Sequence, residues 1–281
     1  PKVDGAGAVF TDSSGSWQRM FNGIEVEHGG YHGDWMSSVI QQLRGHHEPQ
    51  EELVFSRSLQ RLPPGSAMIE LGCFWAYYSL WFAQQVPGGR VVLSEPDPEN
   101  LGLARRHFAH NRLSDRAVFH RAAAGLDQPY SIRLESTGEP EEVQGLSVDS
   151  LMRLNDLTRV DLLHLDVQGA ECDVLASLEA PGLREKLRFV FVSTHHHSIT
   201  GDPLTHERCL DSLNALGAHI ICEHTVEESF SGDGLIVASF SDEDTDFTVS
   251  VSRNIARNAL FRPLAYDLAE LAMREPIAHL S

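Results

Sequence analysis

The chain has 281 residues, 42% of them hydrophobic, and a formal net charge of −18. That is enough apolar material for a packed core, so a disordered chain is excluded. An acidic chain repels phosphate backbones and anionic lipid, and neither a basic stripe nor an apolar run of about 18 residues is present; nucleic acid and membranes are not expected partners.

Residues 1–62 read as an N-terminal extension or cap, rich in glycine, histidine and aromatic residues. Phe21 to Val26 suits a short strand. Trp35 to Leu43 suits a helix with Trp35, Val39 and Leu43 on one face. Glu51 to Leu62 suits a second helix, with Leu53, Leu59 and Leu62 as its apolar positions and Pro63-Pro64-Gly65 as its stop. The stretch Glu27 to Trp35, with Gly45 to Glu48, has two readings: a lid over a ligand, or a packed cap with its own small core.

Residues 63–241 change rhythm. Strands are expected at Ala67 to Gly72, Arg90 to Glu95, Ala117 to Ala122, Val160 to Asp166, Phe189 to Thr194, His219 to Glu223 and Gly234 to Phe240, with a peripheral one at Tyr130 to Leu134. Helices are expected at Tyr77 to Gln85, Pro98 to Asn111, Val148 to Asn155, Glu171 to Leu178 and Pro203 to Leu216. Such alternation predicts an α/β fold, a Rossmann-like, mostly parallel sheet with helices on both faces. The last two strands are joined by a segment with no helical pattern, so one of them should run antiparallel. The acidic run Asp242-Glu243-Asp244 reads as a solvated turn, and residues 242–281 as a C-terminal helical tail.

The cysteines Cys73, Cys172, Cys209 and Cys222 form no CxxC pair and read as free, mostly buried thiols. The N-terminal residues carry no charged–apolar–small leader pattern, and the expected setting is the cytoplasm.

Open α/β sheets bind ligands beyond the carboxyl ends of their strands. Here those ends read Glu70-Leu71-Gly72-Cys73, Glu95-Pro96-Asp97, His164-Leu165-Asp166 and Thr194-His195-His196-His197. Glu70-x-Gly72 is a tight turn that lets backbone approach a ligand. Glu95, about 20 residues on, is placed to accept hydrogen bonds from ribose hydroxyls. The run ELGCFWAYYS lacks the glycines of GxGxxG that cradle a pyrophosphate, which favours an adenosyl ligand without phosphates, namely S-adenosylmethionine.

From about Glu48 to Ser239 the chain resembles the FkbM family of methyltransferases. The matching pieces are MIELGCFWAYYSLWFA, VVLSEPDPENLGLARRHFAHN, RAAAG, LSVDSLM and VDLLHLDVQGAECDVL. The resemblance implies a class I methyltransferase fold, with a seven-stranded sheet containing one antiparallel strand. It implies that Glu70, Gly72 and Glu95 fall on cofactor motifs, and Asp166 beside the reacting methyl. Expected cofactor contacts on the first strand end and the helix after it also include Cys73, Phe74 and Tyr78. Pro96, Asp97 and Ala123 are expected on the next two. The chain departs from the family pattern at Ala76, where a second glycine is usual, at Cys73-Phe74-Trp75 in place of an Asn-containing GANxG, and at His164 and Gln168 in place of a lysine and a glutamate.

Strands four and five of such a sheet are neighbours, so Asp166 should meet His195 and His196. Asp166, His195, His196 and His164 are therefore the candidate catalytic residues. In one reading a histidine is a general base, and activity rises with pH through the usual imidazole value of about 6.5. In a second, Asp166, His195 and His196 hold a divalent metal, of the Zn, Fe, Mn or Ni kind, and in a third the histidines belong to a solvated polar loop. The expected reaction is O-methylation of a small hydroxylated acceptor, a sugar or natural product. Two alternatives remain at this point: a metal- or NAD-linked enzyme on the same fold, and a non-catalytic cofactor-binding protein.

Overall fold

The structure, a computed structural model, describes residues 2–253. Three short strands open the chain: β1 (Val9–Asp12), β2 (Gly15–Arg19) and β3 (Glu25–Glu27), an antiparallel sheet in the order β1-β2-β3. The sequence pattern had suggested only the last of these, because β1 and β2 are short and mostly polar. Helices α1 (Gly33–Gln42) and α2 (Pro49–Leu59) follow.

The alternating part then gives β4 (Ala67–Leu71), α3 (Tyr77–Gln85), β5 (Arg90–Ser94), α4 (Pro98–His110), β6 (Ala117–His120), β7 (Ala123–Ala124), β8 (Pro129–Arg133) and β9 (Pro140–Leu146). It continues with α5 (Val148–Leu154), β10 (Val160–Leu165), α6 (Glu171–Ser177), β11 (Leu187–Thr194), α7 (His197–Thr200), α8 (Thr205–Ala215), β12 (His219–His224) and β13 (Gly234–Ser239). The main sheet has seven strands in the order β12-β13-β11-β10-β4-β5-β6. Its pairings are parallel except that β13 runs antiparallel to both β11 and β12. This is the expected mostly parallel sheet with one reversed strand. A separate hairpin of β8 and β9, joined by β7, stands beside it; β9 was not anticipated, since its alternation is weak and acidic.

Every residue of β4, β10 and β13 is buried, as in strands covered on both faces. Met68, Leu93, Leu162, Phe191 and Val237 point to one face, into a cluster shared with α3, α4 and the N-terminal elements. Ile69, Val92, Leu163, Val190 and Ile236 point to the other, against α5, α6 and α8. Helix α3 is buried nearly all round because the sheet lies on one side and the N-terminal segment on the other. Met20, Ile24, Val26 and Ile40 join that cluster, so the N-terminal segment is packed rather than loose.

Three expectations are corrected. In α1 the buried stripe is Met36, Ser37 and Ile40, while Trp35 is half exposed; a four-residue spacing fits either set, and the sheet selects one. In α2 the buried positions are Glu51, Glu52, Val54, Phe55, Ser58 and Leu59, and Leu53 points outward. Asp244 is no solvated turn. It is fully buried, accepting hydrogen bonds from Arg188 Nε (2.9 Å), Arg61 Nε (2.8 Å) and Ser239 Oγ (2.8 Å). Of the helical tail expected over 242–281, residues 254–281 lie outside the described residues, and residues 242–253 form one short turn at Asp242–Asp244 and no α-helix. The cysteines are free, and three of the four are buried.

Candidate active site

The carboxyl ends of β4, β5, β10 and β11 open into two adjoining cavities, of about 880 and 500 Å³. Gly72, Phe74, Asp166 and Gln168 line both.

The smaller cavity is bounded by Glu95, Pro96, Asp97 and Ala123, as expected, and by Tyr130 to Glu135 of the hairpin. Gly72 adopts φ +75°, and its Cα rests against the Asp166 backbone. Ala76 sits in the left-handed region at φ 58°, before the first turn of α3. The backbone thus keeps the conformation a glycine would favour there, although the residue is alanine. Glu95 accepts one backbone N–H at each oxygen, from Phe74 to Oε2 and from Asp97 to Oε1, both 3.0 Å. Each oxygen keeps a free lone pair. Burial pushes this carboxyl up to about 7. Asp97 is committed differently: it caps α4 through Glu99 N (2.9 Å) and holds Ser136 N and Oγ (both 2.8 Å), anchoring the loop that closes the cavity.

The larger cavity contains Glu70, Cys73, Tyr78, His164, His195 and His196 among the expected residues. It also takes in Tyr31, His32, His47 and Glu48 from the N-terminal segment, and Asp233 from the loop before β13. The sheet register pairs Glu70 with His164, which puts both on the face toward α2. His164 Nε2 lies 2.7 Å from Oε1 of Glu51, whose Oε2 accepts from Ser193 Oγ at 3.1 Å. Burial opposes a charge on His164, but Glu51, Glu70 and Asp166 outweigh it and raise the imidazole to about 9. Oε2 of Glu70 and Nδ1 of His164 are buried without a hydrogen-bond partner. Burial lifts the Glu70 carboxyl to about 7. Nearby, His47 lies between Glu52 (Nδ1 to Oε1, 2.9 Å) and Glu48 (Nε2 to Oε2, 3.0 Å), and Tyr78 donates to Glu48 at 3.1 Å.

Asp166 and His195 meet as anticipated, with Nε2 of His195 3.0 Å from Oδ1 of Asp166. Nδ1 of His195 lies 2.5 Å from Oε1 of Glu171, a fully buried carboxylate at the start of α6. Burial disfavours a charged His195, but the carboxylates of Asp233, Asp166 and Glu171 prevail and hold it well above the ordinary imidazole value. The hydrogen bond from His195 keeps Asp166 below its usual range against the effect of burial. His196 takes another role, its Nδ1 pairing with Ser198 at the cap of α7. Among the described residues no group of three or more His, Cys, Asp or Glu side chains is arranged to hold a metal ion.

Sequence reasoning missed Glu48, Glu51, Glu171 and Asp233. Glu51 and Glu171 carried a usable signal: each opens a helix at a position whose neighbours three and four residues on are apolar, so an acid there faces inward.

No curated protein matches the chain. Among solved structures it is similar to an O-methyltransferase from Bacillus cereus in complex with SAH, at 17% identity over 69% of this chain and 81% of that one, with TM-score 0.45. It is likewise similar to precorrin-6y C5,15-methyltransferase from Geobacter metallireducens (14%, 68% and 88%, TM-score 0.44). The O-methyltransferase TomG from Streptomyces achromogenes is a third (18%, 68% and 79%, TM-score 0.43). Residues 63–220 match the family model described as the methyltransferase FkbM domain. The chain belongs to the FkbM methyltransferase family, and is an S-adenosylmethionine-dependent methyltransferase.

Proposed function

We propose that the protein methylates a hydroxyl group of a small molecule bound in the larger cavity, with the adenosine of S-adenosylmethionine in the smaller one. The observation that carries this reading is the position of Asp166, which borders both cavities and is hydrogen-bonded to His195. The cofactor supplies an electrophilic methyl on a sulfonium. Glu95 accepts the ribose hydroxyls, and Glu70, with one oxygen unpartnered, receives the cofactor's ammonium. His195, oriented by Glu171 at Nδ1, takes the acceptor's hydroxyl proton at Nε2 when neutral. Its raised pKa makes it a stronger base than an ordinary imidazole, which suits a weakly acidic alcohol.

The test is formation of S-adenosylhomocysteine with a panel of hydroxylated acceptors. His195→Ala should lower turnover by roughly 10²-fold or more while cofactor affinity stays near wild type. Full activity in that variant, or no turnover with any alcohol, phenol or sugar, would remove this reading.

A further inference from the structure

We propose that the methyl acceptor also carries a protonated amine, held at Asp233 in the larger cavity. This rests on the methyl-transfer reading above and narrows its substrate.

Among the described residues four carboxylates line the cavity, those of Glu48, Glu70, Asp166 and Asp233, and no lysine or arginine does. Its basic groups are imidazoles, and the most buried of them are already committed: His47 to Glu48 and Glu52, His164 to Glu51, His195 to Glu171 and Asp166. Glu70 is 3% exposed with Oε2 unpartnered, and its nearest imidazole, Nδ1 of His164 at 3.8 Å from Oε1, is paired more closely with Glu51. The cofactor's aminoacyl end brings one net positive charge, a sulfonium and an ammonium against one carboxylate. Glu70 meets that charge.

Among the described residues Asp233 then has only a shared cation, His195, which also serves Asp166 and Glu171. Its nearest basic group is Nε2 of His195 at 3.9 Å, which lies closer to Asp166. Burial and the carboxylates of Asp166, Glu48 and Glu51 push the Asp233 carboxyl up to about 7 against the pull of His195. A cation beside Asp233 relieves that repulsion, whereas an anionic acceptor adds to it. The remaining wall suits an organic cation: Tyr31 stacks on Trp75 at 4.2 Å, and Phe74 meets Tyr31 edge-on at 5.2 Å. Aromatic surfaces of this kind accept both a hydrocarbon body and a nearby ammonium.

An ammonium has no lone pair, so the amine anchors and the hydroxyl reacts. The O–CH₃ bond forms as the C–S⁺ bond breaks, and the hydroxyl proton passes to His195.

Calorimetry on the protein loaded with S-adenosylhomocysteine tests this with three ligands that share one phenol ring: tyramine, tyrosol and 4-hydroxyphenylacetate. Tyramine should bind about tenfold more tightly than tyrosol, and the carboxylate more weakly still. In Asp233→Asn tyramine should fall to within about twofold of tyrosol, with S-adenosylhomocysteine affinity, which reports a folded site, unchanged. Equal affinities, no measurable tyramine binding, or a preference that persists in Asp233→Asn overturns the proposal. Failure of S-adenosylhomocysteine to bind counts against the methyl-transfer reading instead, and the same three titrations into unloaded protein then decide the amine.

Discussion

Gly72 packs so closely on Asp166 that a Cβ at position 72 would fall on the carbonyl oxygen of Asp166. The contact joins the ends of β4 and β10 and fixes the wall between the two cavities. Gly72→Ala should therefore cost roughly 2–4 kcal/mol, from a left-handed alanine plus a backbone shift, and should abolish cofactor binding. Ala76→Gly should do the reverse and stabilise by about 1 kcal/mol, because it relieves a left-handed alanine in a buried turn. Denaturant midpoints of the two variants check both signs.

Glu70 and Glu95 are each raised to about 7 by burial, and both are expected to bind the cofactor as carboxylates. Cofactor binding should lower both pKa values and release protons. Affinity should then rise with pH up to about 7 and level off above it, by at most about tenfold per pH unit for each group. Calorimetry in two buffers of different ionisation enthalpy reads the released protons directly. A flat affinity between pH 5.5 and 8 would contradict the assignment.

The raised pKa of His195 moves the pH dependence of turnover. The ordinary imidazole value of about 6.5 no longer locates the rise. The neutral base forms only above the raised value, so turnover should climb on the alkaline side of neutrality. Glu171→Gln removes one of the carboxylates that hold the proton, so it should shift this limb to lower pH and lower its plateau. EDTA should leave turnover unchanged. A limb that ignores Glu171→Gln would separate His195 from the chemistry.

Glu51 and His164 form a buried pair between α2 and β10. Glu51→Ala leaves the imidazole without its charge partner and should destabilise the fold by roughly 3–5 kcal/mol. Glu51→Gln retains a hydrogen-bond acceptor and should cost less. Thermal unfolding of the two variants orders them.

The strand and helix pattern from Ala67 to Ser239 was legible in the sequence because buried parallel strands and their covering helices repeat a strong apolar rhythm. The strand-end residues Glu70, Gly72, Glu95 and Asp166 were legible too, since the topology of an α/β sheet assigns ligands to that edge. The meeting of Asp166 with His195 follows from the adjacency of β10 and β11 alone. Three-dimensional packing decided the rest. Glu48 and Glu51 lie more than a hundred residues from His164 and Asp166, and only the docking of α2 on the sheet brings Glu48 to the cavity and Glu51 to His164. The protonation of His195 depends on Glu171 and Asp233, which arrive from a helix start and a distant loop. A spacing in sequence records which face of its own element a side chain takes. The charge it meets there is set by whatever other element packs against that face.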